Sequence, residues 1–173
     1  MINYKEKLSP IKAFVFDFDG VMTDGSVWVY ADRETVRAGN IKDGFAIQFA
    51  VKKGYLVAVI SGATSKSIDN RMQMLGVEQC YTGCGDKAAA YAKFLKDNGL
   101  RNEEVLYMGD DLPDLPILRK AGVSTCPSDA VVEVKETVDY ISIHAGGHGA
   151  VRDVIEQVMR LHGTWFHEDA VLW

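Results

Sequence analysis

The chain has 173 residues, of which 47% are hydrophobic and 25% charged, so it has enough apolar material to bury a proper core. A formal net charge of -5, without any block of lysine or arginine, argues against nucleic acid or an anionic membrane surface as a partner. No stretch approaches about 18 consecutive apolar residues and the start, MINYKEKLSP, lacks a secretory signal, so we expect a cytoplasmic protein.

Short apolar runs alternate with helical patterns along the chain. Residues 11–16 form a continuous apolar run that ends in carboxylates, which is typical of a strand buried on both faces. Four further runs predict strands, the second of these runs being weaker: 55–60, 78–81, 105–108 and 138–143. Helical periodicity occupies the segments 43–53, 65–75, 86–98, 112–121 and 149–162.

This alternation predicts the fold class. Strands that alternate with helices form right-handed βαβ crossovers, so we expect a doubly wound, three-layer α/β sheet that binds ligands beyond the carboxyl ends of its strands. Four glycines follow predicted helices at positions where a left-handed C-terminal cap favours glycine: Gly54, Gly76, Gly99 and Gly122.

Residues 26–37 interrupt the alternation directly after the first strand. Val27, Val29 and Tyr30, then Thr35 and Val36 beyond a polar turn, predict a β-hairpin, which we call the flap. No repeat, low-complexity tract or linker divides the chain, so we predict one domain over residues 1–173.

Two carboxylates, Asp17 and Asp19, follow the first predicted strand. Strand alternation would point both to one side, where they repel each other unless a cation such as Mg²⁺, which prefers oxygen ligands, binds between them. One carboxylate could then attack phosphorus to form an acyl phosphate, while the other protonates the leaving oxygen and later deprotonates water. The structural alternative is that two aspartates after a strand only form a turn or a helix cap.

Three further segments follow in a set order. Ser61-Gly62 ends the second apolar run, Lys87 opens a helix, and residues 109–114, Gly-Asp-Asp-Leu-Pro-Asp, follow the run at 105–108. A serine-glycine turn, or a lysine at a helix start, is individually common. Together with the Asp-x-Asp pair, however, the series resembles the haloacid dehalogenase superfamily of phosphohydrolases, whose fold is a Rossmann-like doubly wound sheet.

The resemblance implies a role for each of these residues. Asp17 is the expected nucleophile and Asp19 the expected acid/base. Both are expected to bind Mg²⁺ together with Asp110, and Asp19 would do so through its backbone carbonyl.

Ser61, Gly62 and Lys87 are expected to hold the transferring phosphoryl group, Lys87 as a point charge beside the nucleophile. Asp114 and Asp111 would be supporting carboxylates.

Many members of the superfamily carry a cap domain over the site, but the gaps between these segments leave no room for one. An open site must act on something large or borrow its walls from another copy of the chain. The apolar flap favours a site that is completed by residues of a neighbouring copy. The alternative is that the flap folds back on its own domain. The aromatic tail at 163–173 is expected to dock on its own domain or over a neighbouring subunit's site.

Over residues 10–162 the sequence resembles one family, the capless 3-deoxy-D-manno-octulosonate (KDO) 8-phosphate phosphatases. The similar segments are 17–25, the flap, 41–47, Arg71 with 75–77, 81–83, 109–114 and 146–153. The resemblance implies a magnesium-dependent homotetramer in which the hairpins assemble a central barrel. It also implies hydrolysis of KDO 8-phosphate to the free sugar acid for lipopolysaccharide synthesis.

The sequence departs from this family after Ser61-Gly62. The family commonly has Gly-Arg directly after the second-motif Ser/Thr, whereas here Ser61-Gly62 is followed by Ala63-Thr64. Relatives that act on nine-carbon sialic-type sugar 9-phosphates usually have Glu at the position of Ala63, so neither pattern is present. A phosphatase for such a nine-carbon sugar, or for another small phosphoester, is therefore the alternative. Arg152 could reach a sugar carboxylate or pair on the surface of its helix.

Two other classes of protein fit less well. A signalling receiver domain also has a phosphorylatable aspartate and a lysine on a doubly wound sheet, but it does not need the second carboxylate of the Asp-x-Asp pair. A catalytically idle oligomerising module would not need every catalytic position filled. The three cysteines, Cys80, Cys84 and Cys126, predict free thiols, because no second Cys/His pair completes a zinc site.

Overall fold

A six-stranded parallel sheet forms the centre of the fold. The computed structural model describes residues 4–31 and 35–165. The strands, in chain order, are β1 (Ala13–Phe16), β2 (Trp28–Val29), β3 (Thr35–Val36), β4 (Leu56–Ile60), β5 (Gln79–Tyr81), β6 (Val105–Met108), β7 (Val123–Cys126) and β8 (Tyr140–Ile141). The central sheet has the order β5-β4-β1-β6-β7-β8 with all neighbours parallel, and β2 and β3 form a separate antiparallel pair, the flap.

Helices connect the strands. They are α1 (Ile41–Lys52), α2 (Lys66–Met74), α3 (Lys87–Asn98), α4 (Leu115–Leu118), α5 (Val132–Lys135) and α6 (Ala150–Leu161). Short 3-10 turns cover Tyr4–Leu8, Asn102–Glu104 and Leu112–Asp114. Within the described ranges, no helix has both the length and the apolar character needed to cross a membrane.

Side-chain alternation along β1 divides the core into two layers. Phe14 and Phe16 belong to a cluster that includes buried residues of α1, α2 and α6. Ala13 and Val15 point to the other face and join a cluster that includes Tyr91 of α3 and residues of α4 and α5. Both faces of the sheet are thus covered, which confirms the predicted doubly wound, three-layer fold.

Two elements were not predicted. Strand β7 contains Ser124 and Thr125, which interrupt the apolar pattern although both are buried. The Thr125 hydroxyl donates to the carbonyl of Tyr107 at 3.0 Å, and the Ser124 hydroxyl donates to Asp139 at 3.2 Å. Both hydroxyls therefore have a hydrogen-bond partner although they are buried. The short helix α5 carried no long periodic pattern.

The predicted helix at 112–121 was wrong in its bounds. The structure has a 3-10 turn at Leu112–Asp114 and then the four-residue helix α4. Pro116 lacks the N–H that would donate to residue 112 in a continuous helix, so one helix cannot run through both. The predicted strand at 138–143 is likewise shorter, because only Tyr140–Ile141 pairs, at the edge of the sheet.

The glycine predictions were confirmed at three positions and wrong at one. Gly54, Gly76 and Gly99 follow α1, α2 and α3 with φ of 86°, 76° and 63°. Gly122 is not left-handed. A Cβ there would lie 2.6 Å from the Cα of Glu103, so glycine is needed for close backbone approach rather than for a helix cap.

The flap extends into solvent instead of packing on its own domain. Trp28, Val29 and Tyr30 have exposed fractions of 55%, 72% and 59%, which rules out the alternative of a folded-back hairpin. Between β1 and β4 the described residues form only the flap and α1, so this part of the chain contains no cap domain.

Of the predicted aromatic tail, Trp165 is buried on its own domain. Its ring meets Phe45 and Phe49 of α1 edge-on, with centroids 6.2 and 5.8 Å away. Residues 166–173 lie outside the described residues.

Candidate active site

Asp17 lies at the carboxyl edge of the sheet, one residue beyond β1. Its N–H donates to the carbonyl of Met108 at 2.9 Å, which continues the ladder with β6. Because Phe16 faces the α1 and α6 layer, Asp17 faces the layer of α3. There its Oδ1 lies 2.9 Å from Nζ of Lys87, and both side chains are more than nine-tenths buried.

Lys87 is the first residue of α3 and bridges two carboxylates. The Asp86 side chain caps the helix by accepting from the N–H of Ala89 at 3.1 Å, which fixes where the helix begins. Lys87 Nζ contacts Asp114 Oδ1 at 2.8 Å as well as Asp17. Burial disfavours the ammonium, but the charges of these two aspartates outweigh it and raise the pKa of Lys87, so the lysine is a fixed cation.

Asp114 is fully buried and held on both of its oxygens. The Tyr107 hydroxyl donates to Oδ1 at 2.6 Å, and the N–H of Asp110 donates to Oδ2 at 3.1 Å. Burial, and then the charge of Asp114, raise the pKa of Tyr107, so this hydroxyl keeps its proton and remains a donor. Asp111 is exposed. Its carboxylate caps the next turn by accepting from the N–H of Leu112 at 2.7 Å.

Asp110 approaches the loop after β1 closely. A Cβ at Gly20, whose φ is 84°, would lie 2.0 Å from Asp110 Oδ2, so only glycine fits there. The other oxygen, Oδ1, is buried without a hydrogen-bond partner among the described residues. Burial, together with Asp17 and Asp114, raises the pKa of Asp110, and burial is also the main cause of the raised pKa of Asp17.

These residues fit a divalent cation. Asp17, Asp110 and Asp114 each offer a carboxylate oxygen, and the three oxygens lie within 4.8 Å of one another. Three carboxylates and one lysine carry a formal charge of two negative units (three minus one), which a divalent cation balances. Because Asp114 already accepts from lysine, tyrosine and backbone donors, Asp17 and Asp110 are the better ligands for Mg²⁺.

Asp19 has a different cationic partner from Asp17. Arg37, just after β3, approaches it with two nitrogens: Nε donates to Oδ1, and Nη2 donates to Oδ2 at 3.1 Å. Thr23 is fully buried and organises the connecting loop, because its Oγ1 accepts from the N–H groups of Gly20 and Gly25, both at 3.3 Å.

Ser61 and Gly62 follow β4, the strand beside β1, at the same edge of the sheet. The Ser61 N–H donates to the carbonyl of Tyr81 at 2.8 Å, and its hydroxyl accepts from the N–H of Ala63 at 3.1 Å. The structure therefore places every predicted site residue at this edge, but only Asp17, Lys87, Asp110 and Asp114 form one contacting cluster.

Two residues of this region were missed from the sequence. Arg37 is a lone arginine after a two-residue strand, and Tyr107 sits inside an apolar strand, so neither belongs to a recognisable motif. Arg152, weighed as a sugar contact, pairs with Glu156 at 3.3 Å and lies over the Trp165 ring.

The fold and this edge define the class of protein. A doubly wound parallel sheet with an Asp-x-Asp loop after its first strand, a lysine on a later helix and an acidic loop after β6 is the arrangement of haloacid dehalogenase-like hydrolases. A sequence profile of the haloacid dehalogenase-like hydrolases matches residues 81–155.

Individual relatives narrow the family. The chain is 34% identical over 157 residues to the 3-deoxy-D-manno-octulosonate 8-phosphate phosphatase KdsC of Escherichia coli (strain K12). The aligned region covers 91% of this chain and 84% of the relative. The chain therefore belongs to the KDO 8-phosphate phosphatase family and is a phosphomonoester hydrolase.

Solved structures agree with this assignment. The crystal structure of the KDO 8-phosphate phosphatase from Yersinia pestis has a TM-score of 0.92 and 31% identity, covering 94% of this chain and 88% of that one. The enzyme from Moraxella catarrhalis, in complex with a magnesium ion, a phosphate ion and a KDO molecule, has a TM-score of 0.89 and 32% identity, covering 92% of each chain.

Proposed function

We propose that this chain hydrolyses KDO 8-phosphate to KDO and phosphate through an aspartyl-phosphate on Asp17. The observation that carries the proposal is the buried cluster in which Lys87 bridges Asp17 and Asp114 beside Asp110. The relative from Moraxella catarrhalis, named for its complex with magnesium, phosphate and KDO, supports both the metal and the substrate.

In the first step an oxygen of Asp17 attacks phosphorus, and the bond from phosphorus to the sugar oxygen breaks. Asp19 gives its proton to that leaving oxygen, so the sugar departs as an alcohol. Lys87, Ser61 and Gly62 hold the phosphoryl oxygens during the transfer.

In the second step a water molecule attacks the phosphorus of the acyl phosphate. Asp19, now ionised, takes a proton from the water, and the bond between phosphorus and the Asp17 oxygen breaks to release phosphate. Asp17, Asp110 and the backbone carbonyl of Asp19 would hold Mg²⁺, and its positive charge would neutralise the phosphoryl oxygens. Asp114 and Asp111 support this end of the site, Asp114 by fixing Lys87 and Asp111 by capping the adjacent turn.

The whole chain, residues 1–173, acts as one hydrolase domain in this proposal, and four copies assemble through their flaps. The exposed apolar side chains of Trp28, Val29 and Tyr30 support such an assembly, because a patch of this kind is costly in water. The protein works in the cytoplasm, and its product enters lipopolysaccharide synthesis, as the family resemblance implies.

A steady-state screen tests the substrate. We expect the highest kcat/KM for KDO 8-phosphate among eight- and nine-carbon 2-keto sugar phosphates, since the nine-carbon relatives usually have Glu at the position of Ala63. A higher kcat/KM for a nine-carbon 9-phosphate would instead support the alternative substrate.

Asp17→Asn tests the mechanism. The amide cannot attack phosphorus, so we expect turnover to fall by at least about 10⁴-fold while the circular dichroism spectrum is unchanged. Near-normal turnover in this variant would remove Asp17 as the nucleophile. Asp111→Asn is the matched control, because its side chain is exposed and an amide oxygen can still cap the turn.

A further inference from the structure

Arg37 makes a two-point contact with Asp19 that the proposed mechanism does not use. Its Nε donates to Asp19 Oδ1 and its Nη2 to Oδ2 at 3.1 Å. The Arg37 side chain is 8% exposed, whereas that of Asp19 is 31% exposed. The arginine is therefore the buried, fixed partner, and the aspartate is the side chain that it holds.

The flap orients Arg37. Its Nη1 donates to the Thr35 hydroxyl at 2.9 Å, and Thr35 lies in β3, which pairs with Val29 of β2. The carbonyl of Thr35 accepts from the Ser65 hydroxyl, the N-cap of α2, at 3.4 Å. Arg37 thus stands at the base of the flap, anchored to the loop that follows Ser61.

A fork of two nitrogens on two oxygens restricts both rotations of an aspartate side chain, and it leaves each oxygen a second lone pair on which the transferred proton can bind. Asp19 needs this restriction because it stands on a loop beyond the end of β1, where neither a ladder nor core packing fixes its side chain. Lys87 cannot supply it, since that ammonium contacts Asp17 and Asp114. The two carboxylates of the Asp-x-Asp pair therefore have separate cationic partners, one from α3 and one from the flap.

We propose that Arg37 is a positioning residue that holds Asp19 in place for proton transfer to the leaving oxygen, so that the flap takes part in the acid–base step. The inference rests on the proposed role of Asp19 as the acid/base. It assigns no contact between Arg37 and the substrate.

A double-mutant cycle of Arg37→Ala and Asp19→Asn tests whether the arginine acts through the aspartate. The measured quantity is the rate of alcohol release in the first turnover, on the best substrate of the screen, because it reports phosphoryl transfer to Asp17 alone. We expect Arg37→Ala to slow this step by about 10²-fold in the wild-type background, the size of effect typical of a misplaced catalytic group. In the Asp19→Asn background it should change the rate less than about twofold. Losses that multiply in the double variant would overturn the inference.

The leaving group gives a second readout, which loss of structure alone would not produce. A good leaving group such as p-nitrophenolate needs little protonation, so Arg37→Ala and Asp19→Asn should both slow its release much less than that of a sugar alcohol. If Asp19→Asn shows this difference but Arg37→Ala does not, the inference fails and the proposed function stands. If Asp19→Asn shows no difference, the acid role of Asp19 fails, and the inference with it.

Two milder variants keep the test informative if Arg37→Ala unfolds, which circular dichroism would detect. Arg37→Lys keeps the charge but loses the fork, and it should still slow the first turnover on the sugar phosphate. Thr35→Val keeps the shape of β3 but removes the acceptor that orients Arg37. It should give a smaller loss with the same dependence on leaving group, whereas wild-type rates in both variants would overturn the inference.

Discussion

Among the individual residues, the buried carboxylates set the behaviour of the site. Asp17 and Asp110 both have raised pKa values, with burial as the largest cause and neighbouring carboxylates as the next. Lys87 offsets part of this charge, and Asp110 Oδ1 has no hydrogen-bond partner among the described residues. The folded chain therefore holds charge that is costly until a cation binds.

Magnesium should accordingly stabilise the folded chain. At about 100 times Kd, a ligand that binds only the native state adds about 2.7 kcal/mol to the free energy of unfolding, so Tm should rise by roughly 5–10 °C. Asp110→Asn should lose most of this rise, as differential scanning fluorimetry with and without a chelator would show. Asp111→Asn should retain it, because the Asp111 carboxylate is exposed. Equal magnesium shifts in the Asp110 variant and the wild type would place the ion elsewhere.

Glu104 should make the free energy of unfolding depend on pH, in a direction that follows from its lowered pKa. Hydrogen bonds from Lys12, and then from the backbone and side chain of Arg101, lower the pKa of Glu104 to about 2 in the folded state. A lowered pKa means that the stabilisation is present above the ordinary value of 4.5 and is lost as pH falls toward about 2. The urea midpoint of the wild type should exceed that of Glu104→Gln at pH 7, and the difference should shrink below about pH 4.5.

The exposed Glu133 provides the comparison for that experiment. Glu133→Gln should leave the midpoint close to that of the wild type at every pH. A difference between wild type and Glu104→Gln that stays constant down to pH 3 would contradict the assignment.

At the scale of elements, α1 and α6 share one buried carboxylate. Asp43, in the first turn of α1, accepts from the N–H groups of Gly149 and Arg152 at 3.1 and 2.8 Å and so caps α6 from outside. The loop before α6 is bonded in turn to the loop after β1, since the N–H of Gly147 donates to the carbonyl of Val21 at 2.9 Å. One side chain of α1 thus helps to fix the loop that follows Asp19.

Asp43→Ala should therefore cost more stability than removal of an ordinary cap. It leaves the partly buried N–H groups of Gly149 and Arg152 without their acceptor, so the free energy of unfolding should fall by about 1–3 kcal/mol in urea denaturation. Asp86→Ala, which removes the exposed cap of α3, should cost only about 1 kcal/mol or less. A larger loss for Asp86→Ala would show that the bonds from Asp43 to α6 contribute little.

The sequence predicted the elements whose side chains follow a simple period. The runs that became β1, β4 and β6 are continuously apolar because parallel strands are buried on both faces. Strand β7 was not predicted because its middle residues carry hydroxyl groups. Their burial depends on partners in β6 and near β8 that no local pattern reveals. The flap was predicted, and its exposed apolar side chains agree with the favoured interpretation that it does not fold back on its own domain.

The same limit applies to the candidate site. Asp17, Lys87 and Asp110 could be placed together because each stands at a strand end or helix start on one edge of the sheet. Arg37 could not, because its contact with Asp19 depends on where the base of the flap lies relative to the loop after β1.

At the scale of the whole molecule, the flap is a continuous exposed apolar surface that a partner would cover. Val29 and Trp28 are 72% and 55% exposed, on a hairpin whose Thr35 carbonyl accepts from the Ser65 hydroxyl at its base. An assembly built on this hairpin would cover the patch and, through Arg37, bring the subunit contact close to Asp19.

Val29→Asp tests this assembly. We expect the wild type to sediment as several copies and the variant as a smaller species, because a carboxylate cannot be buried cheaply between flaps. Leu161→Asp is the matched control. Leu161 is also exposed, but it lies beside His162, which contacts Ser9 at the opposite edge of the sheet, so its variant should keep the wild-type mass. Unchanged sedimentation of Val29→Asp would exclude the flap as the contact.

The two outer strands of the central sheet, β5 and β8, pair over three and two residues. Strands this short offer too few free backbone groups to template a neighbouring sheet, which is how proteins commonly avoid fibrils. Overexpressed or concentrated protein should therefore form discrete particles of fixed size, and a thioflavin signal should develop only after the chain unfolds.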